Sequence, residues 1–190
     1  MKPINKLYMW CIKKLLGVRK TTRNDLCLLE SGYPPLVSLV KAKQRKFFRK
    51  MWIERHDMPD DPLIYVLNQC MYNNTSTSRL LHDFVNNDVD DVEKAFEDLK
   101  ASVILMESPK AQLYRALNPQ MSVHPVYAAR PGVNELERIS WSRLRLSAHS
   151  LAIEQGRWNR RGRGRLPIEE RICICGEVQT EAHVFESCPR

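Results

Sequence analysis

LVSLVKAKQRKFFRKM (residues 36–51) is the stretch on which the reading of the fold turns. Val37, Val40, Phe47 and Met51 fall on one side at helical spacing, and Lys41, Lys43, Arg45, Lys46, Arg49 and Lys50 fill the rest. That is the pattern of a long amphipathic helix with a cationic outer surface, and Lys43, Lys46, Arg49 and Lys50 are its candidate contacts to a phosphate backbone.

Working outward from this helix, the same period recurs in both directions. Upstream, Ile4, Leu7, Tyr8, Cys11 and Leu15 repeat at helical spacing and Gly17 stops the run. Thr22-Arg-Asn-Asp25 has the shape of a capping box for a short helix through Leu26, Leu28 and Leu29, ended by Gly32 and Pro34-Pro35. Downstream, DMPDDP (residues 57–62) reads as a turn with Asp61 capping and Pro62 opening a helix to Tyr72. Further helices fit residues 79–85, 92–106 (Val92, Phe96, Leu99, Val103 and Met106 in phase), 109–117 and 134 to about 149. The expected class is mainly α: a multi-helix domain with a small zinc-stapled C-terminal appendage. The expected divisions are a basic helical segment 1–56, an acidic helical segment 57–118, a proline-bounded linker 119–133, and an Arg-rich end 134–190.

The tail carries the most specific chemistry. In RICICGEVQTEAHVFESCPR, Cys173 and Cys175 stand at i and i+2, so an extended strand puts both thiols on one face. Gly176 permits a tight turn back, and Thr180 is a good N-cap for a short helix that carries His183 inward and delivers Cys188 before Pro189. Three thiolates and an imidazole make a closed tetrahedral site, which means structural zinc with no open position for hydrolysis. The competing account has the cysteines as core filler with His183 on the helix surface. A redox pair of Cys173 and Cys175 would close a small, strained ring.

Charge points to a partner. The chain of 190 residues has a formal net charge of +8 and is basic at both ends with an acidic middle, which favours a polyanion such as RNA or DNA. Arg143, Arg145, Arg157, Arg160, Arg161, Arg163 and Arg165 precede the tail, partly alternating with glycines. Such a stretch builds no core but can lay guanidinium forks along phosphates, with Trp158 available to stack on a base. No apolar run approaches the roughly 20 residues that span a bilayer, so no membrane partner is expected. The opening residues lack a signal-peptide core and the Ser and Arg bias of a mitochondrial presequence, so an intracellular chain, nuclear or cytoplasmic, is expected. The Val-Asp-Asp of residues 89–91 invites comparison with two-metal polymerase carboxylates, but Asp90 reads better as the N-cap of the next helix.

LGVRKTTRNDLCLLESGYPPL (16–36), RLRLSAHSLAIEQGRWNR (143–160) and IEERICICGEVQTEAHVFESCP (168–189) together resemble the region downstream of the polymerase core in non-LTR (LINE-type) retrotransposon reverse transcriptases. Cys173, Cys175, His183 and Cys188 fall on that family's Cys-Cys-His-Cys ligands. The resemblance implies that Ile4 to about His56 corresponds to the thumb and that Arg138 to Cys188 belongs to a part that binds nucleic acid. It also implies that the chain is a fragment without the catalytic palm and not an enzyme by itself, with RNA, DNA or a full-length reverse transcriptase in trans as partners. Two other readings of the residues stay open: a helical protein-interaction scaffold, and a degenerate fragment without selected function.

Overall fold

The computed structural model describes residues 2–55, 57–58, 60–73, 76–87, 90–127, 134–158 and 164–189. It is mainly helical, and among the described residues the β-type pairing is an isolated bridge between Ile172 and Val178. The helices are α1 (Lys2–Leu15), α2 (Asn24–Ser31), α3 (Leu36–Arg55), α4 (Pro62–Tyr72), α5 (Ser76–Asn86), α6 (Asp91–Ile104), α7 (Pro109–Leu117), α8 (Glu135–Arg145) and α9 (Ala152–Gln155). No helix among the described residues is long and apolar enough to cross a membrane. The chain divides into two units, one of Met1–Ser31 with Ile104–Arg190 and one of Gly32–Val103. This partition differs from the sequential one expected at residues 56, 118 and 133: the first two helices belong with residues 104–190.

In the unit Gly32–Val103, α3 and α4 both pack on α5. Asp61 caps α4 by accepting a hydrogen bond from the Leu63 N–H at 2.8 Å, and Pro62 opens the helix, as its sequence predicts. Met51, Ile64, Leu67 and Leu81 form the buried core, with Phe48, Cys70 and Met71 packed against it. The phase of α3 differs from the expected one. Phe47 is 58% exposed and Val37 42%, while Arg45 is buried and Phe48 stacks on Phe84 with centroids 6.0 Å apart.

Arg45 is turned inward because it has partners there. Its guanidinium donates to the carboxylates of Asp91 and Asp83 at 3.0 Å each and to the carbonyls of Asp83 and Asn87 at 2.7 and 3.1 Å. It also lies 4.9 Å from the Phe84 ring centroid. The Asp91 hydrogen bond leads the effects that push the Arg45 pKa up. Asp90 meanwhile caps α6, accepting from the N–H groups of Val92 and Glu93. The adjacent aspartates are thus used to start α6 and to hold α3. Arg45→Met is expected to cost this unit about 2 kcal/mol, since two carbonyls and a largely buried Asp91 lose their donor. Faster amide hydrogen exchange in α5 would register it, and unchanged exchange would mean that the network carries no stability.

In the other unit α1 packs on α2 and α7 on α8. Gly17 ends α1 at φ +65°, and a Cβ there would meet the Ile139 Cγ2 at 2.6 Å, so α8 lies where only glycine fits. Arg138 and Arg143 of α8 donate to the Leu15 and Gly17 carbonyls, the second at 2.8 Å, and so serve the negative end of the α1 dipole. The α2 helix begins after Arg23, whose carbonyl takes the Cys27 N–H, so Thr22 precedes its cap. The first part of the expected linker is built into this unit. Asn118 is buried and binds the Tyr114 hydroxyl, the Ser122 carbonyl and the Ser122 N–H, and Met121 is buried beside it in sequence. Residues 128–133 lie outside the described residues. Asn134 forms a capping box with Glu137 at the start of α8, which stops at Arg145, short of the expected 149.

Candidate metal centre

Residues 164–189 have almost no apolar core. Among them Arg171 and His183 are the buried ones, while Ile172, Ile174 and Phe185 are 52%, 76% and 67% exposed. Their order comes from polar bonds and from a convergent set of ligands.

Arg171 joins the segment to its unit. The guanidinium donates to the Ile153 carbonyl at 3.0 Å and twice to the Leu166 carbonyl, and its stem covers Gly156, where a Cβ would come within 2.5 Å of the Arg171 Nε. Gln179 completes the junction. Its N–H donates to the Arg171 carbonyl, its carbonyl accepts from the Ile153 N–H, and its Oε1 accepts from the Ala152 N–H at 2.7 Å. Glu181 pairs with His149 at 2.9 Å, which holds its carboxyl below the ordinary range. The end that carries the Cys/His cluster is therefore clamped into the body of its unit by the Arg171, Gln179 and Glu181 side chains.

Between these anchors the chain turns sharply. The Cys173 N–H donates to the Glu177 carbonyl at 2.7 Å and the Gly176 N–H to the Cys173 carbonyl at 3.0 Å, with Gly176 at φ +96°. Thr180 caps the next turn as expected, accepting from the His183 N–H at 3.0 Å. That turn, His183–Ser187, is π-helical, and the Cys188 N–H closes it on the His183 carbonyl at 2.7 Å. The wider ring of an i to i+5 bond brings residue 188 back over residue 183.

The result is a four-donor cluster. The ligand atoms of Cys173, Cys175, His183 and Cys188 all lie within 4.8 Å of one another, with 3.8 Å between the Cys173 and Cys188 sulfurs and 3.1 Å from the Cys175 sulfur to the His183 Nε2. A tetrahedral ion with sulfur bonds of about 2.3 Å separates its ligand atoms by roughly 3.8 Å. The four residues lie close enough to hold a metal ion. His183 is prepared for that role: its Nδ1 is 3.2 Å from the Glu177 carboxylate and 3.3 Å from the Ser187 hydroxyl, which leaves the Nε2 lone pair for the sulfur side.

The thiols feel one another. The backbone N–H of Cys175 and the His183 side chain bring the Cys173 thiol down to about 6. At Cys175 the Glu177 N–H favours the thiolate, but desolvation and the Cys173 and Cys188 sulfurs outweigh it and raise the thiol. Negative charge on one sulfur thus opposes charge on the next, a conflict that a cation at their centre removes.

The expected nucleic-acid contacts fall in both units. Lys43, Lys46 and Lys50 are exposed on α3 with Arg49 partly so, and Lys50 faces Glu54 at 3.7 Å; all four belong to the unit Gly32–Val103. In the other unit Arg143 is exposed while capping α1, and Arg165 is exposed. Two positions require correction. Arg145 is 2% exposed and its NH2 lies 3.0 Å from the Glu30 carboxylate, so it is a core ion-pair partner. Trp158 is half-buried with Arg19 and Lys110 at 5.4 and 5.7 Å from its ring centroid, and its ring is already held by the protein's own cations. Arg157 is partly exposed and leans on buried Glu154 at 3.4 Å. Arg160, Arg161 and Arg163 lie outside the described residues.

Pattern reading missed Arg171, Glu177 and Gln179 as supports of the cluster. It also missed a hollow of about 680 Å³ lined by Lys13, Lys14, Arg19 and Arg143 with His149 and no carboxylate. The signal for the hollow was available in the acid-free opening 24 residues; the partner helix that completes it was not. Compared with family models, curated proteins and solved structures, the chain matches none.

Proposed function

We propose that the chain corresponds to the region downstream of the polymerase core of a non-LTR retrotransposon reverse transcriptase, carries one structural zinc ion and grips RNA or DNA through its phosphates. The observation that carries this reading is the Cys173, Cys175, His183 and Cys188 cluster, with ligand atoms within 4.8 Å, at the positions that the resemblance assigns to that family's ligands. Three thiolates with one imidazole fill all four positions of a tetrahedral ion, so zinc here folds the tail and catalyses nothing. On this reading the chain holds no polymerase centre of its own, and Asp90 and Asp91 serve the fold. The cation-lined hollow beside α1 and the lysines of α3 supply the attraction for phosphate. A second reading, a module that docks on another protein such as a full-length reverse transcriptase in trans, is favoured by Ile4 and Leu7 on α1, 62% and 60% exposed.

Titration of labelled RNA and DNA tests the first reading. Affinity is expected to fall by about a hundredfold or more between about 50 and about 200 mM salt, with little dependence on base sequence. Replacing Arg160, Arg161 and Arg163 by Glu is expected to weaken it further. Salt-independent binding, or no binding by folded protein, overturns the nucleic-acid part of the proposal.

A further inference from the structure

A second hollow, of about 650 Å³, lies along α1 and shares Lys13, Lys14 and Val18 with the first. Its lining includes Lys6, Trp10 and Lys20, and again no carboxylate. Trp10 is 55% exposed, and the Lys14 ammonium stands 5.8 Å from its ring centroid. The combination is chemically narrow: a flat aromatic face in a concavity of ligand size, surrounded by cations that neutralise nothing nearby within that lining.

We propose that the two hollows form one track for single-stranded nucleic acid. An unpaired base stacks on Trp10, the flanking phosphates lie on Lys14 and Lys20, and the strand continues past Lys13 toward Arg19 and Arg143. The inference rests on the nucleic-acid reading above and narrows it. A single strand fits because every base has a π-face that stacks on an aromatic ring without sequence preference, while the backbone follows a positive groove. A duplex keeps its base faces inside its own stack and has none for Trp10. An acidic polypeptide would satisfy the lysines but leave the indole without a flat partner. Trp158 is half-buried with two cations against its ring, whereas Trp10 is 55% exposed with one, so the stacking role passes to Trp10.

The test uses the full chain, a short fluorescein-labelled oligo(dT), and a blunt duplex of equal length, followed by anisotropy and by quenching of tryptophan fluorescence. Trp10→Ala is expected to weaken oligo(dT) binding about tenfold and duplex binding little, and Trp10→Phe to restore most of it. Lys14→Gln and Lys20→Gln should each lower the salt slope for oligo(dT) by about 0.7. If unmodified protein quenches on oligo(dT) and Trp10→Ala still binds it equally well, this inference falls while the nucleic-acid reading stands. Displacement of oligo(dT) by polyglutamate as readily as by unlabelled oligo(dT), or a preference for duplex, also overturns it. Binding of neither oligonucleotide overturns both.

Discussion

Cys188→Ser is expected to release the bound metal and to melt residues 172–188 while leaving the helices of the same unit folded. The expectation follows from what the tail lacks. Its large apolar side chains face outward, and its two buried residues are an arginine and a histidine. Burial at about 25 cal/mol per Å² therefore contributes little there, and the segment depends on hydrogen bonds and on its ligands. A structural zinc site in a small domain supplies about 10 kcal/mol or more of folding free energy near neutral pH, so losing one of three thiolates removes the main support of the turn. Elemental analysis should find about one equivalent of zinc in the unmodified protein and almost none in the variant. In the variant, amide exchange should accelerate at Cys173, Gly176, Val184 and Cys188, all bonded within or next to the turn, and not at Leu146, bonded within the body. Acid should imitate the substitution. Protons compete with the ion for thiolates and imidazole, so the metal-dependent stability is present at neutral pH and is lost as pH falls. Unchanged protection in a metal-free protein would mean that the Arg171 and Gln179 junction orders the tail alone.

Local chemistry was legible in the sequence where a residue acts on its neighbours. Asp61 before Pro62, Thr180 before His183, Gly17 after Leu15 and Asp90 before Val92 each do what their type and position predict. The four ligands were legible for the same reason, because they come from 16 consecutive residues. What depended on distant partners was not. Arg45 and Arg145 sit in arginine- and lysine-rich stretches that read as solvated faces, yet each meets a carboxylate from another helix and turns inward. No periodicity distinguishes such an arginine from its exposed neighbours. The same limit explains the division of the chain. Helices α1 and α2 join α7 and α8 through Gly17, Ile139 and the arginines that cap α1, contacts separated by more than a hundred residues.

Arg145→Met is expected to destabilise its unit by about 4 kcal/mol, and Glu30→Gln with Arg145→Met together to recover most of that loss. Glu30 on α2 is fully buried, its side chain 0% exposed, and Arg145 on α8 is 3% exposed. The carboxylate also accepts from the Tyr127 hydroxyl at 2.5 Å, which in turn lies 2.9 Å from the Ser142 hydroxyl. Burial raises the Glu30 pKa, and the Tyr127 hydrogen bond and the Arg145 charge oppose that rise. Removing the guanidinium leaves a buried carboxylate without its counter-charge, and burial then pushes the pKa higher. A carboxyl whose folded pKa exceeds its unfolded value favours the folded state when protonated, so its contribution is complete below the unfolded pKa and disappears as pH rises through the folded one. The deficit of Arg145→Met relative to unmodified protein should therefore shrink as pH is lowered from about 8 toward about 5. The double variant, which keeps an acceptor for Tyr127 and removes both charges, should show almost no such pH dependence. Urea unfolding of the three proteins at several pH values, with amide exchange in α2 and α8 to localise the change, separates charge from shape. A double variant as unstable as Arg145→Met would assign the loss to packing of the arginine against Tyr114, whose ring centroid lies 5.8 Å away, and not to the stranded carboxylate.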